Sequence, residues 1–140
     1  MLSINRLSLA DAVKLIEGAS EHTESIAVPM CIAVVDESGN LVAFERMDGA
    51  KVQSVSLSED KAFTAAISRR PTHEYNEISV PGNLVFGIQS AVGGRFSTVG
   101  GGYPVIIEGE TVGAIGCSSG TAEQDMACSQ AGLDRLLDNS

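Results

Sequence analysis

Apolar residues recur at Leu9, Ala12, Val13, Ile16 and Ala19, an i, i+3, i+4, i+7 spacing that predicts an amphipathic helix over 8–25. Ser8 followed by Asp11 supplies a capping box at its start, and Pro29 marks the chain leaving it. The period then changes. Met30-Cys-Ile-Ala-Val-Val-Asp36 is apolar at consecutive positions, and Leu41-Val-Ala-Phe44 follows after Glu37-Ser-Gly-Asn40. Two runs rich in β-branched residues around a Ser-Gly-Asn turn predict a β-hairpin. A strand without polar alternation is buried on both faces, which calls for helices or a partner subunit on each side of its sheet.

Helical spacing returns over 54–69, with Ser56 and Glu59 as a second capping pair and Ala62, Phe63, Ala66 and Ile67 as one face. The small residues there permit close approach to a sheet, and Arg70-Pro71 ends the helix. Residues 82–120 hold 11 of the 15 glycines, a density that means turns and backbone that must come near something else. Within that stretch Tyr103-Pro-Val-Ile-Ile107 and Thr111-Val-Gly-Ala-Ile-Gly-Cys117 predict a second hairpin around Glu108-Gly109-Glu110. Gly113 and Gly116 inside a strand point to close helix packing or to a ligand. Thr121 with Gln124 starts a third helix, which Met126, Ser129, Leu133, Leu136 and Leu137 carry to the C-terminus. Cys128 falls on its opposite face, exposed or at a subunit contact. The order lacks sustained strand–helix–strand alternation, so it predicts an α+β domain over 1–140, an antiparallel sheet with helices packed on it.

Charge and composition narrow the function. The 140 residues carry 9 basic and 18 acidic side chains, a formal charge of −9, which argues against nucleic acid and anionic membranes as partners. No apolar run approaches the ~18 residues of a membrane span. Asp11, Glu17, Glu21 and Glu24 make the first thirty residues unlike a signal peptide. With no Trp, four Phe and two Tyr, an aromatic stacking platform is not expected. Cys31, Cys117 and Cys128 are odd in number and widely spaced, and His22 and His73 are the only histidines. That set speaks against a disulfide framework or zinc site, and for buried thiols in a reducing cytoplasm.

Gly116-Cys-Ser-Ser-Gly120 matches the nucleophile-elbow pattern G-x-S-x-G between a predicted strand and helix. That chemistry needs an acid and then a histidine further along, and no histidine follows His73, so the segment reads as a tight strand-to-helix turn. Gly120-Thr121 opens a helix whose N–H groups can hold an anion, and Gly100-Gly-Gly102 can curl its amides into a nest. Neither GxGxxG nor GxxxxGK[ST] is present, so no standard nucleotide loop is expected. Arg46, Asp48, Lys61, Arg69 and Arg70 fall near predicted element ends, where an Arg fork would bind a carboxylate; pairing within the molecule, as of Arg46 with Asp48, is the competing account. His22 lies on the flank of the first helix, either facing solvent or serving as an axial ligand to haem. Thr72 caps a short helix that makes His73 a surface loop residue.

Taken in order, Ala33-Val-Val-Asp36, Gly39, Leu41-Val-Ala-Phe44 and Arg46-Met-Asp-Gly-Ala50 form the first half of a signature. Lys61-Ala62, Thr64-Ala65, Arg70, Thr72, Gly100-Gly-Gly102, Pro104, Gly113-Ala-Ile-Gly116, Ser118, Gly120 and Asp125 complete it. Over residues 8–137 the chain resembles the GlcG/HbpS family. The resemblance implies a profilin-like domain, an antiparallel sheet flanked by helices, assembled into homo-oligomers and often octamers. It places members in glycolate, diol and aromatic-acid utilisation, some of them binding haem or iron and others resembling aminomuconate deaminases. It puts a pocket at Arg46, Asp48 and Gly49, lined by Lys61 and Thr64, with Arg70 and Thr72 beyond and Gly101, Gly102 and Asp125 from the far half. The expected ligand is a small anionic metabolite, with no metal or cofactor. Arg46 or Arg70 would hold its carboxylate, the Gly101 and Gly102 amides an oxyanion, and Asp48 or Lys61 would move a proton. The alternatives are haem or iron on His22, the sole candidate here for the first-helix histidine that the resemblance implies for haem-binding members, and a non-catalytic accessory oligomer.

Overall fold

The Asp11 amide donates to Ser8 Oγ at 3.1 Å and the Ser8 amide donates back to Asp11 Oδ2 at 2.9 Å, closing the expected capping box. It opens helix α1 (Leu9–Ile26) in the computed structural model of the protein, in which residues 1–138 are described. The buried stripe is rotated from the expected one. Ala12, Leu15, Gly18, Ala19 and Thr23 face inward, whereas Leu9 and Val13 are exposed. The cause is a close crossing with α3 (Ala122–Asp138): a Cβ on Gly18 would lie 2.6 Å from the Ala131 carbonyl oxygen, and one on Gly132 would lie 2.7 Å from that of Leu15.

Two antiparallel hairpins supply the sheet. Asp36 Oδ1 accepts from the Ser38 and Asn40 amides at 2.9 and 3.0 Å, shaping the turn between β1 (Cys31–Asp36) and β2 (Leu41–Arg46). The second hairpin is β3 (Gly102–Ile107) and β4 (Glu110–Ser118), and the strand order is β2-β1-β4-β3. The architecture is α+β, with every neighbouring pair antiparallel. As its unbroken apolar run requires, β1 is buried along its whole length. Helix α2 (Ser54–Ser68) covers Ala33, Val35 and Ala114 through Ala62, Ala65 and Ala66. On the other face α1 and α3 cover Ile32, Val34, Ile115 and Cys117 with Leu15, Leu133 and Leu136. The chain's own helices therefore account for both buried faces, and the sheet itself demands no partner subunit.

Four local expectations are corrected. Among the described residues no side chain caps α2, which begins at Ser54, and Ile67 is exposed because the contact with the sheet goes to the alanines. The Thr121–Gln124 box does form, with bonds of 2.9 and 3.2 Å. Yet α3 buries Asp125, Cys128, Ser129, Gly132, Leu133 and Leu136, while Leu137 is exposed. Cys128 is accordingly in the core, where its thiol donates to the Ala19 carbonyl at 3.4 Å; contact with Cys117 and burial push its pKa up. All three cysteines are free and buried. No described helix is long and apolar enough to cross a membrane.

Between a short 3-10 turn at Thr72–Tyr75 and β3 the chain forms an arm of turns and two further 3-10 segments, Ile88–Ser90 and Val92–Gly94. Leu84 is fully exposed on it and Phe86 is 62 % exposed. Two threonines pin its return to the body. Thr64 Oγ1 donates to the Arg95 carbonyl at 3.1 Å and accepts from the Ser97 amide at 2.8 Å. Thr72 Oγ1 donates to the Val99 carbonyl at 2.6 Å and accepts from the Gly102 amide at 3.0 Å.

Candidate functional site

The pinned return delivers Gly100-Gly101-Gly102 into the seam between α2 and α3, where each glycine leaves space for a different group. A Cβ on Gly100 would meet Met126 Sδ at 2.8 Å and His73 Cβ at 3.3 Å. One on Gly101 would meet Asp125 Cβ and Lys61 Nζ, each at 3.0 Å, and one on Gly102 would press on the Lys61 carbonyl. The run is thus a packing device, and the expected nest loses at least its Gly102 amide. The Gly102 amide is committed to Thr72, and the Gly101 carbonyl accepts from the Cys117 amide at 3.1 Å and Ser129 Oγ at 2.6 Å.

Against Gly101 stands a buried ion pair. Lys61 is 2 % exposed and Asp125 3 %, and Nζ donates to Asp125 Oδ2 at 2.8 Å and to the Cys117 carbonyl at 3.0 Å. The second Asp125 oxygen accepts from the Gly120 amide at 2.9 Å. Burial raises the Asp125 pKa above its usual 3.8, and the attraction of Lys61 only partly offsets this. The pair joins α2, the end of β4 and the start of α3, and it forms the floor of a pit of about 160 Å³.

The pit's rim at Val99 and Ala122 is shared with a second, larger cleft of about 550 Å³. That cleft is lined by Arg70, His73, Asn76, Gly100 and Met126. His73 Nδ1 is buried without a hydrogen-bond partner among the described residues, and its ring lies 5.6 Å from that of Tyr103. Burial raises the Tyr103 phenol pKa. The Arg70 guanidinium lies 4.9 Å from the Tyr75 ring centroid and donates to Glu74 Oε1 at 3.2 Å on an exposed surface, where such a pair is weak.

The other expected site residues lie elsewhere. Arg46 and Asp48 line a separate groove of about 640 Å³ with Thr23, Glu24 and Glu45, and Gly49 sits beside Pro29. Sheet order explains the separation: Arg46 ends one edge strand, β2, while Tyr103 of the opposite edge strand, β3, packs at a tilt against His73. One chain therefore does not bring Arg46, Arg70 and Gly101 to a common cavity. Thr64 and Thr72 hold the loop, with their hydroxyls turned to backbone. His22 lines a groove between α1 and α3 with Gly18, Glu21, Ala131, Asp134, Arg135 and Asp138, a rim richer in carboxylates than in cations. His73 and Met126 are the residues the sequence pattern did not single out together. They are distant in the chain and meet only because Thr72 draws Val99 and Gly100 in between.

Comparisons with known proteins fit this geometry. Residues 7–134 match the family described as haem degrading protein HbpS-like. An uncharacterized 15.0 kDa protein from the dhaT-dhaS intergenic region of Citrobacter freundii is 39 % identical over 131 residues, covering 94 % of this chain and 92 % of that one. The structure of Klebsiella pneumoniae protein ORFY superposes with a TM-score of 0.96 at 34 % identity, covering 98 % of this chain and 94 % of that one. The PduOC:haem complex superposes with a TM-score of 0.90 at 33 % identity, covering 93 % and 94 %. The ordered signature, the helix-covered antiparallel sheet and these likenesses agree, and this chain belongs to the HbpS-like family.

Proposed function

We propose that this protein binds haem, and that it does so in the cleft beside His73. The observation that carries the reading is that His73 and Met126, one from each side, line the same cleft and pack together against Gly100. The likeness to PduOC, whose structure is a haem complex, supports the same ligand. Haem iron takes imidazole or thioether donors, which His73 and Met126 offer. Val99 and Ala122 supply apolar wall, and Arg70 can leave its exposed partner Glu74 for a propionate. Bound haem would supply an iron centre for ligand binding and redox chemistry. Tyr103 packs against the imidazole, Thr72 ties the 3-10 turn that carries it to Val99, and Gly100 leaves room for His73 and Met126 beside it. The His22 groove suits haem less well, because its lining sets three carboxylates, Glu21, Asp134 and Asp138, against the one cation Arg135, a balance unfavourable to propionates.

Haemin added to the protein should develop a Soret band. His73→Ala should weaken binding at least tenfold or shift the band, Arg70→Ala should weaken it several-fold, and His22→Ala should change neither. A band that vanishes in His22→Ala and persists unchanged in His73→Ala would overturn this placement.

The protein also assembles, in this reading, into a homo-oligomer through the arm. Val80, Leu84, Phe86 and Val92 expose large apolar side chains within one short segment, and such clusters mark contact surfaces. Light scattering should return a mass several times the 14.5 kDa of one chain, and Leu84→Ser with Phe86→Ser should lower it. A wild-type chain that runs as a monomer would remove this part of the account.

A further inference from the structure

We infer that the pit over Lys61 and Asp125 is a second ligand site, built for a short-chain carboxylate. Its volume of about 160 Å³ is under a third of the 550 Å³ of the neighbouring cleft, a size that suits an acid of a few carbons better than a macrocycle. An ammonium has three donors. Among the described residues Lys61 Nζ gives two of them to protein, to Asp125 and to the Cys117 carbonyl, which leaves one for the pit it lines. Both oxygens of Asp125 are already engaged, one by Lys61 and one by the Gly120 amide. Lys51 adds a second cation at the rim. Two ammonium groups against one carboxylate leave the pit one positive charge in excess, the complement of a monoanion.

Two features are costly for structure alone. A buried ion pair is expensive to desolvate, and well-packed apolar residues would join α2 to α3 at least as well. Ser119, on the pit wall, has φ +125, a conformation that non-glycine residues rarely adopt, and its Oγ accepts from the Lys51 amide at 2.9 Å. That bond holds the lysine-bearing loop against the β4–α3 turn and so keeps the pit's mouth in one shape. The site goes beyond the haem proposal and does not rest on it, since it shares only the Val99 and Ala122 rim with that cleft.

The test uses the full chain without haem, titrated with acetate, with pyruvate and with neutral acetamide, and followed by ligand-detected NMR and calorimetry. Acetate and pyruvate should bind, with acetamide at least tenfold weaker. Lys51→Gln, a change at an exposed position that leaves the core intact, should weaken acetate at least fivefold, and Lys61→Met should abolish binding if it folds. Arg46→Ala, in the separate groove, should leave it unchanged. The proposal is overturned if no acid binds, if acetamide binds as well as acetate, if Lys51→Gln has no effect, or if Arg46→Ala removes binding. The haemin titration reads a different cleft, so the two proposals fail separately.

Discussion

Replacing Gly116 by alanine should destabilise the protein by about 3 kcal/mol or more, the upper end of what overpacking costs. The new Cβ would fall on the Ser58 carbonyl oxygen, 2.6 Å from the Ala62 nitrogen and 3.1 Å from Lys61 Cβ. The first two are helix backbone atoms, which cannot rotate aside as a side chain can. Helix α2 would have to lift from the sheet, opening its contacts with Ala33, Val35 and Ala114 and displacing Lys61 from its pair. Gly109→Ala is the matched control. No described residue lies within 4 Å of its Cβ, so only its φ of +80 is penalised, at about 1 kcal/mol. Urea denaturation compares them, and a Gly116→Ala protein within 1 kcal/mol of wild type would refute the close helix–sheet contact.

Lys61→Met should cost about 3–5 kcal/mol, because it strands the Asp125 carboxylate in the interior. Lys61→Met combined with Asp125→Leu should recover much of that loss, since the two effects are those of one interaction and do not add. The pH dependence carries a sign. Burial raises the folded pKa of Asp125 above its unfolded 3.8, so the native state holds this proton more tightly than the unfolded chain. The stability it contributes is fully present below pH 3.8 and is lost as pH rises through the raised value. Without Lys61 that value climbs further, so the deficit of Lys61→Met should shrink toward pH 4 and widen toward neutrality. Asp125→Asn should remove this contribution from the profile. A deficit independent of pH would show that Asp125 does not depend on Lys61 for its charge.

Much of the fold was legible because the period of the apolar pattern changes where the elements change. The runs at 30–36 and 41–44, the Ser8–Asp11 and Thr121–Gln124 caps and the small-residue side of α2 all stand in the structure. What was not legible depends on contacts between distant segments. Gly18 and Gly132 rotate α1 and α3 toward each other, and neither helix alone shows that its stripe will turn. Arg46 and Arg70 are close in the chain, but one follows an edge strand and the other follows α2. Three strand steps at about 4.8 Å each hold the two edges of the sheet apart. Lys61 and Asp125 belong to the signature, yet no spacing in the sequence announces that they pair. From its own neighbours, turn residues all, His73 reads as a surface residue; the cleft around it is assembled by Thr72, Gly100 and Met126.

Iron offers the most direct check on where this chain holds its ligand. Crystals grown with haemin and measured at the iron absorption edge should show an anomalous peak in the cleft, within coordination distance of His73 or Met126. A peak beside His22 in the α1–α3 groove, or fully loaded protein with no peak near His73, would contradict the account.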